Sequence, residues 1–356
     1  MENRKKNILV LNHKGLGVAL QGYPAMRWLT NENESNVYMT VCSPFVMKLC
    51  EGEIGIKDQF LINTDPASSG LHIFGDLSWF ISRRKGIFKL FWNIINIRLT
   101  KIDILIGLTG YRKKDVKRFS RIIGAKKWIC IEEEEEELIT RGTTHRVDRN
   151  LRIISKFLGK NIDSSLRNDY LFRRPINRKK SKIISNDDYI VFTPGSGESE
   201  RFKRWPIKEY ISFGKNIVNN YNLEIIIVGA DYEMQLCNKI KRGISSNKVK
   251  NYCGKLSINQ LKSVFVNSRF VIGADVGGMH FAKASGAKVV VLFGPGNSSL
   301  LAPIDSEIII DLKIPGTPWY NRKNLKKMIH ERNNFEPSMQ IPSSLVIEKL
   351  KEKDFL

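Results

Sequence analysis

The chain has 356 residues, enough for two domains with full cores, and its 42% apolar and 26% charged residues exclude a disordered or membrane-embedded protein. With 58 basic against 36 acidic side chains the formal charge is +22, which calls for acidic company: nucleic acid, an anionic membrane or a phosphorylated substrate, beside an ordinary lysine-rich solvated surface. Cys42, Cys50, Cys130, Cys237 and Cys253 are odd in number and lack CxxC spacing, which fits free thiols in a reducing compartment and suggests neither a disulfide framework nor a zinc site. The charged start Met1–Lys6 and the short run Ile8–Leu11 do not make a signal peptide, and no run is long enough to span a bilayer. A cytoplasmic protein is expected, free to rest against a membrane.

In chain order, Asn7–Asn12 reads as a buried first strand, His13–Gly17 as a glycine loop, and Val18–Leu29 as a helix in which Pro24 marks a kink or a late helix start. Asn36–Val41 and Gln59–Asn63 are strands separated by a short helix over Pro44–Cys50. Leu77–Lys101 is a helical segment rich in aromatic and basic residues. It suits an anionic membrane surface, or a core-packing helix with a solvated basic face. Ile102–Leu108 is a strand, Asp115–Ile123 a helix and Lys127–Ile131 a strand. The six glutamates Glu132–Glu137 read as a solvated loop ahead of a metal or basic-partner site, and Thr143–Leu158 as an amphipathic helix. The polar, basic stretch Arg173–Asn186 is the expected domain linker.

The alternation then restarts. Strands are expected at Tyr189–Thr193, Leu223–Val228, Lys248–Tyr252, Phe270–Ala274 and Lys288–Phe293, with a last one at Glu307–Ile310. Helices are expected at Ile207–Val218, Tyr232–Ser245, Ser257–Val266, Met279–Ser285 and Pro342–Lys351. Strands alternating with helices in both halves predict two parallel, doubly wound sheets, with ligand at their carboxyl edges.

Two stretches carry chemistry. Asp275-Val276-Gly277-Gly278 ends one strand and opens a helix containing His280. Free N–H groups, the positive end of the helix dipole and two glycines make that corner an anion site. For His280 itself the residues leave two readings open, a part of that site or a helix residue bonding a neighbouring carbonyl. The loop TPGSGESERFKRWP, Thr193–Pro206, offers Gly195 and Gly197 for close approach, Ser196 and Ser199 as donors, and Lys203 and Arg204 as charge. It lacks the ending of a Walker A loop. Trp205-Pro206 reads as a packing anchor and helix start. Beyond the next strand, Asp231 and Glu233 are placed to accept from ribose or sugar hydroxyls, with helix capping as the plainer role of Asp231. The first loop lacks GxGxxG, which argues against a dinucleotide oxidoreductase, and no nucleic-acid module is recognised.

With these motifs in hand, the chain resembles the ADP-heptose:lipopolysaccharide heptosyltransferases, glycosyltransferase family 9, over nearly its whole length. KRWP at Lys203–Pro206, GKLS at Gly254–Ser257, Asp275-x-Gly277-x-x-His280 and LFGP at Leu292–Pro295 recur in order. NILVLNHKGLGVALQGYPAMRWL at Asn7–Leu29 and THRVDRN at Thr144–Asn150 are similar to the family's opening and interdomain helix. The resemblance implies an α/β fold of GT-B type, two Rossmann-like doubly wound domains facing across a cleft. Residues 1–175 would hold the acceptor, residues 176–340 the nucleotide sugar, and residues 341–356 would form a C-terminal helix that can return to the N-terminal domain. It further implies an inverting, metal-independent transfer of heptose or a related sugar from an ADP-sugar co-substrate, with no cofactor. The acceptor would be a lipopolysaccharide core or similar acidic or phosphorylated glycolipid, met in the cytoplasm or on the inner membrane's cytosolic face.

Carried over by position, Ser199 and Lys203 would neutralise the diphosphate, Glu233 would hold the ribose, and Asp275 would contact sugar hydroxyls. Val276, Gly277, Gly278 and His280 would form the phosphate-binding helix start, and Lys14, Gly15, Gly17 and Val18 the acceptor-side loop. The family's general-base aspartate is Val18 here, and Val276 replaces a hydroxyl residue. His13 in the same loop is the substitute base the residues offer. The alternative is a catalytically impaired or non-catalytic nucleotide-sugar-binding protein of the same fold.

Overall fold

The computed structural model describes residues 4–12, 15–62, 84–131, 144–173, 184, 188–294, 296–312 and 339–356, with only the backbone of 84–90, Glu198 and Ser199. The glutamate run, most of the linker stretch and residues 77–83 of the aromatic-basic segment lie outside these residues. The chain divides into two compact units, Met1–Ile139 with Thr144–Arg174, and Thr140–Thr143 with Pro175–Leu356.

The first unit is a five-stranded sheet in the order β3-β2-β1-β4-β5, from Asp58–Leu61, Asn36–Val41, Asn7–Leu11, Ile104–Gly107 and Lys127–Ile129. All its pairings are parallel. β1 is central because Ile8–Leu11 is apolar without alternation, the signature of a strand covered on both faces, and all four residues are fully buried. Of the kink or late helix start expected at Pro24, the structure has the second: two helices, Leu16–Gln21 and Tyr23–Glu32, meet at Gly22. Pro24 lacks an N–H, so it fits the first turn of a new helix and not the interior of an old one. Gly22 itself is tightly enclosed: a Cβ there would lie 3.0 Å from both Asn12 Nδ2 and Leu108 Cδ1, which would have to give way. On one face of the sheet, helices Arg84–Leu99 and Lys113–Ile123 cover Leu9, Leu11 and Leu105 with Ile97, Val116, Phe119 and Ile123.

The second unit is a six-stranded parallel sheet in the order β11-β10-β9-β6-β7-β8. Its strands are Ile308–Asp311, Val289–Phe293, Val271–Ala274, Tyr189–Thr193, Glu224–Ile227 and Val249–Asn251. Helices Ile207–Asn220, Met234–Ile244, Ile258–Val266 and Gly277–Ala284 supply the crossovers. Ser257 caps the third of these, accepting from Gln260 N–H, while Gln260 Oε1 accepts in return from Ser257 N–H. The last helix, Ser343–Glu352, buries Val346 and Leu350 in this unit's core. Trp205 fixes the segment before it, donating its indole N–H to Ile341 O at 2.7 Å while its ring meets Tyr210 edge-on at 4.7 Å.

Candidate active site

In the second sheet the strand order reverses between β6 and β9: the chain moves outward from β6 through β7 and β8, returns to β9, and continues to β11. Ligands of open parallel sheets bind outside the carboxyl ends of the strands at such a point. The two stretches singled out in the sequence leave from there, residues 194–206 after β6 and residues 275–278 after β9. The strand ends are packed closely enough that β9 needs a glycine. A Cβ on Gly273 would lie 2.1 Å from Thr193 Oγ1 and 2.8 Å from its carbonyl oxygen.

The loop after β6 closes into 3-10 turns over Glu198–Lys203, with a kink at Glu200. Arg204 holds its start, donating from Nε to Ser196 Oγ at 2.9 Å and from Nη2 to Ser196 O at 2.7 Å. Ser196 and Arg204, offered by the sequence as phosphate donors, therefore brace the loop. Lys203 is carried inward. It is 7% exposed, and its Nζ lies 3.0 Å from Glu200 Oε1 and 3.3 Å from Asp275 Oδ2. Burial pushes the Lys203 pKa down, but the Asp275 and Glu200 carboxylates outweigh it and hold the ammonium above its ordinary value. Apart from that ion pair, Asp275 Oδ2 is buried without a hydrogen bond. A Cβ on Gly296, in the loop after β10, would come within 3.3 Å of it. Glu200 and Gly296 are the members of this cluster that sequence reading missed.

Helix Gly277–Ala284 begins immediately beyond Asp275, with Val276 as N-cap making no side-chain cap. Amides of the first turn have no intrahelical partner, and they carry the positive end of the dipole. Gly277 and Gly278 keep side chains out of that turn and are half-buried, whereas His280 is buried within the helix. A cation, a carboxylate and a bare helix start thus converge on one corner, a combination that takes a phosphate with a polyhydroxylated group attached.

On the neighbouring strand, Glu233 rather than Asp231 caps the turn after β7: Ala230 N–H donates to Glu233 Oε2 at 2.8 Å. The Glu233 carboxylate lies over two glycines. A Cβ on Gly195 would come within 1.9 Å of Oε1, and one on Gly229 within 2.7 Å of Oε2. Asp231 instead packs on Gly254, whose Cβ would lie 1.8 Å from Oδ1 at a φ of +69°.

Of the acceptor-side loop, His13 and Lys14 lie outside the described residues, as does the Ser199 side chain. Gly15 has a φ of 130° and precedes the helix carrying Gly17 and Val18, both half-buried. Asn150, inside the THRVDRN stretch, ties this helix to the end of β4. It accepts from Thr109 N–H at 2.8 Å and donates to Gln21 O at 3.0 Å, while Arg146 donates to Gln21 Oε1 at 3.0 Å.

A family model described as glycosyltransferase family 9 (heptosyltransferase) matches residues 131–329. The chain is 23% identical over 178 residues to lipooligosaccharide heptosyltransferase 2 of Haemophilus influenzae, covering 49% of each. It is 30% identical over 135 residues to the heptosyltransferase 2 of Campylobacter jejuni serotype O:6, covering 37% of this chain and 40% of that one. These matches span half or less of the relatives' length. Among solved structures, the glycosyl transferase family 9 from Veillonella parvula shares the fold with a TM-score of 0.72 at 16% identity, covering 99% of this chain and 98% of that chain. The E. coli ADP-heptose lps heptosyltransferase II does so at 0.65 and 15%, covering 98% of both.

Proposed function

The chain belongs to glycosyltransferase family 9, and we propose that it moves heptose, or a related sugar, from an ADP-sugar to a lipopolysaccharide core or similar acidic glycolipid. The observation that carries this reading is the corner where Lys203, Asp275 and the start of helix Gly277–Ala284 meet at the switch point of the second sheet.

The acceptor hydroxyl attacks the anomeric carbon as the bond from that carbon to the diphosphate oxygen breaks, so configuration inverts and ADP leaves. Negative charge grows on the departing diphosphate. The Lys203 ammonium and the first-turn amides of helix Gly277–Ala284 are fixed before the reaction and answer that charge without reorganising. Lys203 takes the part of the cation, so the reaction needs no metal. Asp275 accepts hydrogen bonds from the sugar, Glu233 from the ribose, and Ser199 donates to the diphosphate. The proton of the acceptor hydroxyl goes to His13, a group whose ordinary pKa lies near neutrality. Val18 has no lone pair for that step. The binding-only alternative rests on that substitution alone.

The acceptor class follows from the charge of +22, which suits phosphates and acidic sugars. Such a glycolipid is presented in an anionic membrane, which makes the enzyme cytoplasmic and peripheral. Among the described residues no helix is long and apolar enough to cross a membrane. The test is release of ADP from ADP-heptose in the presence of a truncated phosphorylated core acceptor. Transfer is expected with the wild type and a loss of about 10²–10³-fold in kcat with Lys203→Ala. Calorimetric binding of ADP-heptose without any turnover would overturn the proposal.

A further inference from the structure

Helices Arg84–Leu99 and Lys113–Ile123 pack side by side on one face of the first sheet, so their outer surfaces look away from the same core. At about 100° per residue, the second half of the first helix places Arg98, Phe91, Ile95, Leu99 and Trp92 in order around one outer arc, with buried Ile97 opposite. That arc is apolar where solvent should favour polar residues: Phe91 is 60% exposed, Trp92 64%, Ile95 42% and Leu99 72%. On the second helix the same spacing gathers Lys113, Lys117, Arg121, Lys114 and Arg118 on the exposed side. All five are cationic, and none has an ion-pair partner among the described residues. The only acid on that helix, Asp115, is buried and held by Arg112 at 2.6 Å.

We propose that this two-helix face docks the protein on an anionic lipid surface. The aromatic and aliphatic side chains enter the headgroup boundary, and the five cations lie against lipid phosphates. An exposed tryptophan and phenylalanine beside a field of lysine and arginine are what such a surface selects, because each ring buries its apolar body among the acyl chains while the cations stay hydrated. Charge decides against a second copy of the chain. A two-fold contact that included helix Lys113–Ile123 would set the same five cations against themselves. The surface lies on the first unit; its docking role rests on the peripheral reading above, and because docking is measured without donor or acceptor, its failure is distinct from a failure of sugar transfer.

The test is flotation of the full-length protein, without donor or acceptor, on vesicles of phosphatidylcholine alone or mixed with phosphatidylglycerol. Binding is expected to the mixed vesicles only and to weaken as salt is raised. Replacing two cations, Lys114→Gln with Arg118→Gln, should lower the partition coefficient about thirtyfold. Trp92→Ser with Leu99→Ser should lower it as well while leaving the thermal melt and ADP affinity unchanged, since both positions are exposed. Equal binding to both lipid compositions, binding to neither, or insensitivity to both variant pairs would overturn the proposal. So would light scattering that shows a wild-type dimer dissociated by the Trp92 and Leu99 changes, which would make the face a contact between copies.

Discussion

Lys203 Nζ lies 3.3 Å from Asp275 Oδ2, a contact that joins the turn after β6 to the corner after β9 across 72 positions of sequence. Both side chains are about nine-tenths buried. Lys203→Ala therefore leaves a buried carboxylate with no counter-charge, and a loss of about 3 kcal/mol of stability is expected beyond the loss of catalysis. Asp275→Asn removes that penalty, so the double variant should be more stable than the sum of the single effects. Additive losses in a urea double-mutant cycle would mean that the pair does not interact.

The direction of the Lys203 shift sets a pH window. Its pKa in the folded protein stands above the ordinary 10.5, with burial opposing and the two carboxylates prevailing. A raised lysine pKa contributes stability that is complete below 10.5 and is lost only as pH climbs through the higher folded value. The Lys203-dependent part of ADP affinity, read by calorimetry as the difference between wild type and Lys203→Met, should be flat from about pH 7 to pH 9.5. A fall within that range would show that burial had won.

Two glycines in one loop give opposite expectations. A Cβ on Gly195 would sit 1.9 Å from Glu233 Oε1, whereas a Cβ on Gly197 meets nothing within 4 Å. Gly195→Ala must drive the Glu233 carboxylate off the Ala230 N–H, costing about 1–3 kcal/mol and weakening ADP binding. Gly197→Ala, at a φ of −51°, should leave both unchanged. Equal effects on the melting temperature and on ADP affinity would dissociate Glu233 from the nucleoside.

Much of this corner was legible because strand, glycine turn and helix follow one another within a dozen residues, and local spacing fixes that geometry. Lys203 was legible as a charge in a loop after a strand. Its partner Glu200 was not, because an i,i+3 pair forms only once the loop is known to close into a 3-10 turn. Gly296 and Asn150 were hidden for another reason: each acts across the sheet or between helices, and no sequence period reports a contact of that range. The two parallel sheets were readable from the apolar runs and the new helix from Pro24, but the crowding of Gly22 by Asn12 and Leu108 was not, since it is a contact between elements.

If His13 accepts the acceptor proton, His13→Ala should lower kcat by about 10²–10⁴-fold and leave the dissociation constant of the ADP-sugar unchanged. Val18→Asp on that background places a carboxylate three residues into the first helix and should restore part of the loss. Rapid-quench measurement of sugar transfer distinguishes these steps from product release. An unaltered kcat in His13→Ala removes the histidine from the mechanism and leaves the donor corner standing.

Stability of the first unit rests on a second buried pair. Arg27 and Glu53 have side chains only 1% exposed, with Arg27 Nη2 at 3.2 Å from Glu53 Oε2. The guanidinium also donates to the carbonyl oxygens of Glu53 at 2.9 Å, Leu171 at 2.6 Å, and Asp169, and Glu53 Oε2 accepts from Arg173 N–H at 2.7 Å. Helix Tyr23–Glu32 is thereby bound to the segment that ends the unit. Arg27→Met would leave a buried carboxylate and three carbonyls short of donors, so about 3–5 kcal/mol is expected to be lost. Glu53→Gln keeps the shape, and its amide oxygen can still accept from Arg173 N–H, so about 1–2 kcal/mol is expected. Because two units unfold, hydrogen exchange of helix Tyr23–Glu32 is the measurement to use in place of a single melting temperature. Protection in Arg27→Met no lower than in Glu53→Gln would mean that the carbonyls, and not the carboxylate, set the cost of losing this arginine.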